Sequence, residues 1–132
     1  MRFGNTANRA QRGVILSGLQ ELSNAADAGR NCWVTFDANS MEHWVQCTPL
    51  LMRIDWPFSS GPLENEFLKE RFGSGEPVQI HSWQADSYVT FTPKLGDVAA
   101  LVEAINDTFR ELYGLGNEYV IRFKIEDEAK GR

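Results

Sequence analysis

The order of the patterned segments constrains this chain more than any single residue does. A helical pattern opens it and three short strand patterns follow. Then come a short helical stretch, two more strands, a strongly amphipathic helix and a last strand. The opening helix reads over Ala7–Ala28, because Ile15, Leu19, Leu22 and Ala26 recur at helical steps and share one face. Asn5 or Thr6 stands where a cap belongs, and Gly29 stands where such a helix stops. Gly13 and Gly18 each weaken it by roughly 1 kcal/mol relative to alanine. Two readings follow: a close packing neighbour at a glycine, or fraying.

The next segment, Cys32–Asp37, is rich in β-branched and aromatic residues and reads as a strand. A turn over Ala38–Met41 leads to a second, antiparallel strand over His43–Thr48. Pro49 cannot donate to a ladder, so it either separates two strands or kinks one. Leu50, Met52, Ile54 and Trp56 alternate with Leu51, Arg53 and Asp55, the period of a strand with one buried face. Turn chemistry over Pro57–Pro62 precedes a short amphipathic helix over Leu63–Phe72, which ends near Gly73–Gly75. Val78–Trp83 and Tyr88–Thr92 read as a hairpin across Gln84–Ser87.

The stretch Asp97–Tyr113 carries one unbroken apolar stripe, with Val98, Leu101, Val102, Ile105 and Phe109 at its centre. Asp97 caps it, and Gly114 supplies the left-handed residue that stops it. Finally Tyr119, Ile121, Phe123 and Ile125 alternate with Val120, Arg122, Lys124 and Glu126, a strand whose charges meet water and guard a sheet edge. Together these elements predict an α+β fold, ordered α-β-β-β-α-β-β-α-β. It has a single mostly antiparallel twisted sheet of five to six strands, with two main helices on one face. A chain of 132 residues fits one domain, 1–132, with an ordered core over about 7–126.

The bulk numbers narrow the partners. The formal net charge is −5 and the basic residues are scattered, which argues against a nucleic-acid partner. No run approaches the ~20 apolar residues that span a bilayer, and the opening residues carry no apolar run of signal-peptide length. The expectation is a cytoplasmic protein with Cys32 and Cys47 reduced. In a hairpin turning at Asn39–Met41 those two thiols stand about two residues out of direct register, too far for a good bridge.

Catalytic signals are lacking. His43 and His81 are the imidazole bases available, and neither sits in a motif or beside a nucleophile elbow. A set of His43, Cys47, Cys32 and His81 matches no usual zinc spacing. The Gly73–Pro77 turn is neither a Walker loop nor a dinucleotide fingerprint, and the pairs Glu64/Glu66 and Asp37/Glu42 read as solvated surface. The reading is therefore no catalytic residue, no metal ligand and no cofactor.

The tryptophans carry the remaining signal: Trp33, Trp44, Trp56 and Trp83 all fall on strand patterns. Alternation puts Trp56 in the core with Leu50, Met52 and Ile54. It puts Trp44 with Gln46 and Thr48, opposite Val45 and Cys47, and Trp83 with Gln79 and His81, opposite Val78 and Ile80. Trp44, Trp83, Gln46 and His81 are the expected partner-binding residues, since an exposed aromatic patch marks an interaction surface.

This element order over residues 7 to 115 resembles the type III secretion chaperones and the related YbjN-like and TY-Chap domains. Trp44-Val45-Gln46 is similar to the strand after the first hairpin in YbjN-like proteins. Ile80–Trp83 followed by Tyr88–Phe91 is similar to their second hairpin. The strand Tyr119–Ile125 lies beyond that family's closing helix. The resemblance implies no active site. It implies instead a homodimer that holds an extended segment of a partner chain along hydrophobic grooves and sheet edges.

The expected function is a non-enzymatic, chaperone-like protein-binding module whose partner is another protein chain. One alternative is an acidic immunity or inhibitor protein that occludes a toxin or enzyme. The other is a small enzyme or metal-binding protein using His43 and His81.

Overall fold

The computed structural model describes residues 8–39, 42–62 and 65–127. Its helices are α1 (Arg9–Asp27), α2 (Glu66–Phe72) and α3 (Val98–Asp107), the last continued by a π-helical turn over Thr108–Leu112. Its strands are β1 (Cys32–Ala38), β2 (His43–Cys47), β3 (Met52–Trp56), β4 (Gln79–Gln84), β5 (Ser87–Thr92) and β6 (Ile121–Asp127). They form one six-stranded sheet ordered β4-β5-β3-β2-β1-β6, antiparallel at every pairing. The α+β class and the element order follow the sequence pattern.

One sheet face carries the core. Val34 and Phe36 of β1, Val45 and Cys47 of β2, Ile54 and Trp56 of β3, and Val89 and Phe91 of β5 are buried there. Ile15, Leu19 and Leu22 of α1 and Val102, Ile105 and Phe109 of the C-terminal helix close over them. Helix α1 packs on β1, β6 and α3. Gly18 permits this approach: a Cβ there would lie 2.6 Å from Phe36 Cε1, whereas Gly13 faces open space. The packing reading thus holds at one of the two glycines.

The helix ends are set by local chemistry. The cap expected at Asn5 or Thr6 lies outside the described residues. The residue at the start of α1 is Asn8, whose amide makes no cap bond and instead donates to the Asn117 carbonyl. Gly29 ends the helix at φ +80°. The expected start of the second helix at Leu63 also lies outside the described residues, and α2 begins after Asn65, whose side chain accepts from the Leu68 N–H at 3.2 Å. Asp97 accepts from the Ala100 N–H at 2.7 Å, as a cap should.

The last helix departs from the α form after Asp107. The Tyr113 N–H donates to the Thr108 carbonyl, a five-residue step, before Gly114 turns the chain at φ +73°. That turn sets the Tyr113 hydroxyl 2.6 Å from the Asp55 carbonyl of β3, to which it donates. The helix end is thereby pinned to the sheet.

Candidate functional site

An apolar cleft opens at one end of the sheet, between the C-terminal half of α1, the β2–β3 turn and the start of α3. It holds about 570 Å³, within the usual range for a binding pocket. Its α1 wall is Leu19, Leu22 and Ala26, its floor is Cys47 and Met52, and its far wall is Leu95, Val98 and Leu101. Leu19, Leu22, Cys47 and Met52 are buried. The rim is not: Leu50 is 79% exposed and Val98 is 48% exposed. Two large aliphatic side chains beside an apolar cleft leave surface that a partner can dehydrate.

The β2–β3 turn builds that rim. The Thr48 hydroxyl accepts from the Leu51 N–H at 2.9 Å and from the Leu50 N–H at 3.2 Å. The Thr48 N–H donates to the Leu51 carbonyl at 2.8 Å. The turn closes on itself, so Pro49 separates two strands, and β3 starts at Met52. The expectation that Leu50 shares the buried face of a strand is corrected: it stands in the turn, outside the ladder, and is exposed.

The electrostatics of the cleft are one-sided. Asp27 and Asp97 line it, and no lysine, arginine or histidine does among the described residues. Asp97 is engaged in capping α3. Asp27 sits at the negative end of the α1 dipole, where no basic residue stands in the last turn. Nearby Arg30 is drawn off to Asp127 at 3.0 Å. Burial pushes the Cys47 thiol up to about 12, so the floor is neutral.

The four residues expected to bind a partner do not gather. Trp44 and Gln46 lie half-buried on the face away from the helices, opposite Asp37 and Thr35 of β1. His81 is on that face too, at the β4 edge, with its Nε2 2.6 Å from the Thr92 hydroxyl. Trp83 is on the other face. The register slips by one residue between Ile80 and Ser82, so Trp83 pairs with Val89 on the helix side and Ser82 with Thr90 on the open side. The expected grouping of Trp83 with Gln79 and His81 is therefore corrected, since a bulge reverses alternation beyond it. Trp83 is 41% exposed. Its ring lies over Gly61, where a Cβ would sit 3.6 Å away.

The open face mixes polar side chains with half-buried Trp33, Trp44 and Tyr88. One row runs across all six strands as Lys124, Thr35, Gln46, Arg53, Thr90 and Ser82. Arg53 donates to the Thr90 hydroxyl at 2.8 Å and stacks over Tyr88 with its guanidinium carbon 4.6 Å from the ring centre. A depression of about 280 Å³ there is lined by Trp33, Gln46, Arg53 and Thr90.

The two imidazoles are held apart. His43 pairs in register with buried Ala38, its Nδ1 is 3.2 Å from Asp55 Oδ2, and its ring stacks on Tyr113 at 4.6 Å. Burial raises the Asp55 carboxyl, with His43 pulling it back down. Strands β3 and β5 lie between His43 on β2 and His81 on β4. Among the described residues no three His, Cys, Asp or Glu side chains gather as a metal site requires.

Cys32 and Cys47 are free, buried thiols, and Val34 rather than Cys32 stands opposite Cys47, the two-residue offset expected. No helix is long and apolar enough to cross a membrane among the described residues. Compared with protein-family models, curated proteins and solved structures, the chain gives no match.

Proposed function

We propose that this protein is a non-enzymatic, chaperone-like binding module that holds a segment of a partner protein in the cleft between α1, the β2–β3 turn and α3. The observation that carries the reading is the pairing of an apolar cleft of about 570 Å³ with a rim of exposed Leu50 and Val98. Apolar side chains seated in such a cleft gain roughly 25 cal/mol per Å² removed from water. The sheet edges are poorer docking sites. Strand β4 is bulged, and β6 presents exposed Arg122 and Lys124, both devices that discourage strand addition. On the open face the aromatic side chains Trp33, Trp44 and Tyr88 are half-buried among polar neighbours, so it offers less freely exposed aliphatic surface than the rim with Leu50.

In this reading the protein acts in the cytoplasm, where the buried thiols stay reduced, and it acts as a homodimer. Titration calorimetry with a synthetic leucine-containing peptide tests the reading, using a serine-for-leucine peptide as control. Binding of the leucine peptide alone, abolished by Leu50→Asp, is the expected result, and equal heats from both peptides contradict it. Light scattering tests the dimer. A dimer dispersed by the leucine peptide would make a second copy of this chain the natural occupant.

A further inference from the structure

We infer that the occupant of this cleft is an aliphatic segment flanked by lysine or arginine, with the basic flank against the end of α1. This rests on the proposed function above and specifies its partner. Among the described residues, every formally charged side chain that lines the cleft is acidic, namely Asp27 and Asp97. The α3 cap neutralises part of the Asp97 charge, because that carboxylate accepts from the Ala100 N–H at the positive end of the helix. Asp27 has the opposite placement. It adds negative charge to a helix end that is already negative, with no basic residue in the last turn of α1 to offset it.

Arg30, three residues beyond Asp27 in the chain, has its guanidinium turned to Asp127, and Lys94, between the lining residues Pro93 and Leu95, is paired with Glu76. The α1 wall of the cleft therefore ends in a carboxylate, Asp27, beside Leu22 and Ala26, with no basic side chain among the described lining residues. Like charge brought there is repelled, so an acidic flank is selected against as strongly as a basic one is favoured. The formal charge of −5 on the whole chain extends the same bias to the approach of a partner.

The experiment uses the full chain and three fluorescent peptides in an anisotropy titration. One has a leucine-rich centre with lysine flanks, one has the same centre with glutamate flanks, and one has lysine flanks around a serine centre. The lysine-flanked leucine peptide is expected to bind about fivefold tighter than the glutamate one at low salt, the size of one or two solvent-exposed ion pairs. Raising the salt should shrink that preference, and Asp27→Asn should reduce it while leucine-peptide binding persists. Equal binding of the two leucine peptides overturns this inference and leaves the proposed function standing. Failure of both leucine peptides to bind, or equal binding of the serine-centred one, overturns the proposed function itself.

Discussion

Gly18 of α1 lies against the ring of Phe36 of β1 so closely that a Cβ would meet Phe36 Cε1 at 2.6 Å and Cζ at 2.8 Å. Phe36 is fully buried, so its ring has no free space to retreat into. Gly18→Ala should therefore destabilise the protein by about 1–3 kcal/mol, although alanine is the better helix former. Gly13, with nothing within 4 Å of a Cβ, should show the opposite sign, and Gly13→Ala should stabilise by roughly 1 kcal/mol. Urea denaturation of the two variants checks both signs, and a gain from Gly18→Ala would show that α1 does not seat on β1 as described.

Leu50 and Val98 contribute little to folding because they are exposed. Their joint replacement, Leu50→Ser with Val98→Ser, should leave stability within about 0.5 kcal/mol of the parent. Capture of a leucine-containing peptide should weaken by about tenfold or more, because the exposed surface of these two side chains leaves water only in the complex. Denaturant melts and peptide titrations on one sample separate the two effects. A large stability loss would place these side chains in the core.

Alkaline pH should unfold the protein early. Burial lifts the Cys47 thiol from 9.0 to about 12. It also lifts the Tyr113 hydroxyl well above 10.0, with the Asp55 charge adding to the effect. In both cases the native state keeps a proton that the unfolded chain gives up. The stability this supplies is complete below the unfolded pKa and drains away as pH rises through the folded one. The denaturant midpoint should hold up to about pH 9 and fall beyond it. Cys47→Ala should delay the first part of the fall, and stability rising above pH 9 would contradict the assignment.

Asn106 and Tyr119 form a buried pair in which the Tyr119 hydroxyl donates to Asn106 Oδ1 at 2.5 Å, while Asn106 Nδ2 has no partner among the described residues. Tyr119→Phe removes that bond to the Asn106 side chain and should cost about 1–3 kcal/mol. Asn106→Leu with Tyr119→Phe removes both buried polar groups and should recover part of that loss. A double-mutant cycle by chemical denaturation reads the coupling, and additivity would refute it.

Most of the fold was legible because its signals are local. The strand runs around Phe36, Val45, Ile54 and Phe91 alternate cleanly, and Asp97, Gly29 and Gly114 mark helix ends by their own chemistry. Three features were not legible. The bulge between Ile80 and Ser82 adds a residue without changing composition, so period-two reasoning carried Trp83 to the wrong face. The π-helical turn at Thr108–Leu112 leaves the apolar stripe unbroken, so nothing in the pattern distinguishes it from α-helix. The cleft joins Leu22, Leu50 and Val98, which are far apart in the chain and meet only through the packing of α1 and α3. One cue was available at the rim. Thr48 before Pro49 is turn chemistry, and it argued for ending the strand before Leu50.

The central claim is that the cleft, and not the open face, receives the partner. Backbone amide NMR during titration with a lysine-flanked leucine peptide tests this most directly. Shifts concentrated at Leu22, Leu50, Leu51, Val98 and Leu101 are the predicted result. Shifts centred on Trp44, Gln46 and Arg53, with the cleft residues unmoved, would contradict it.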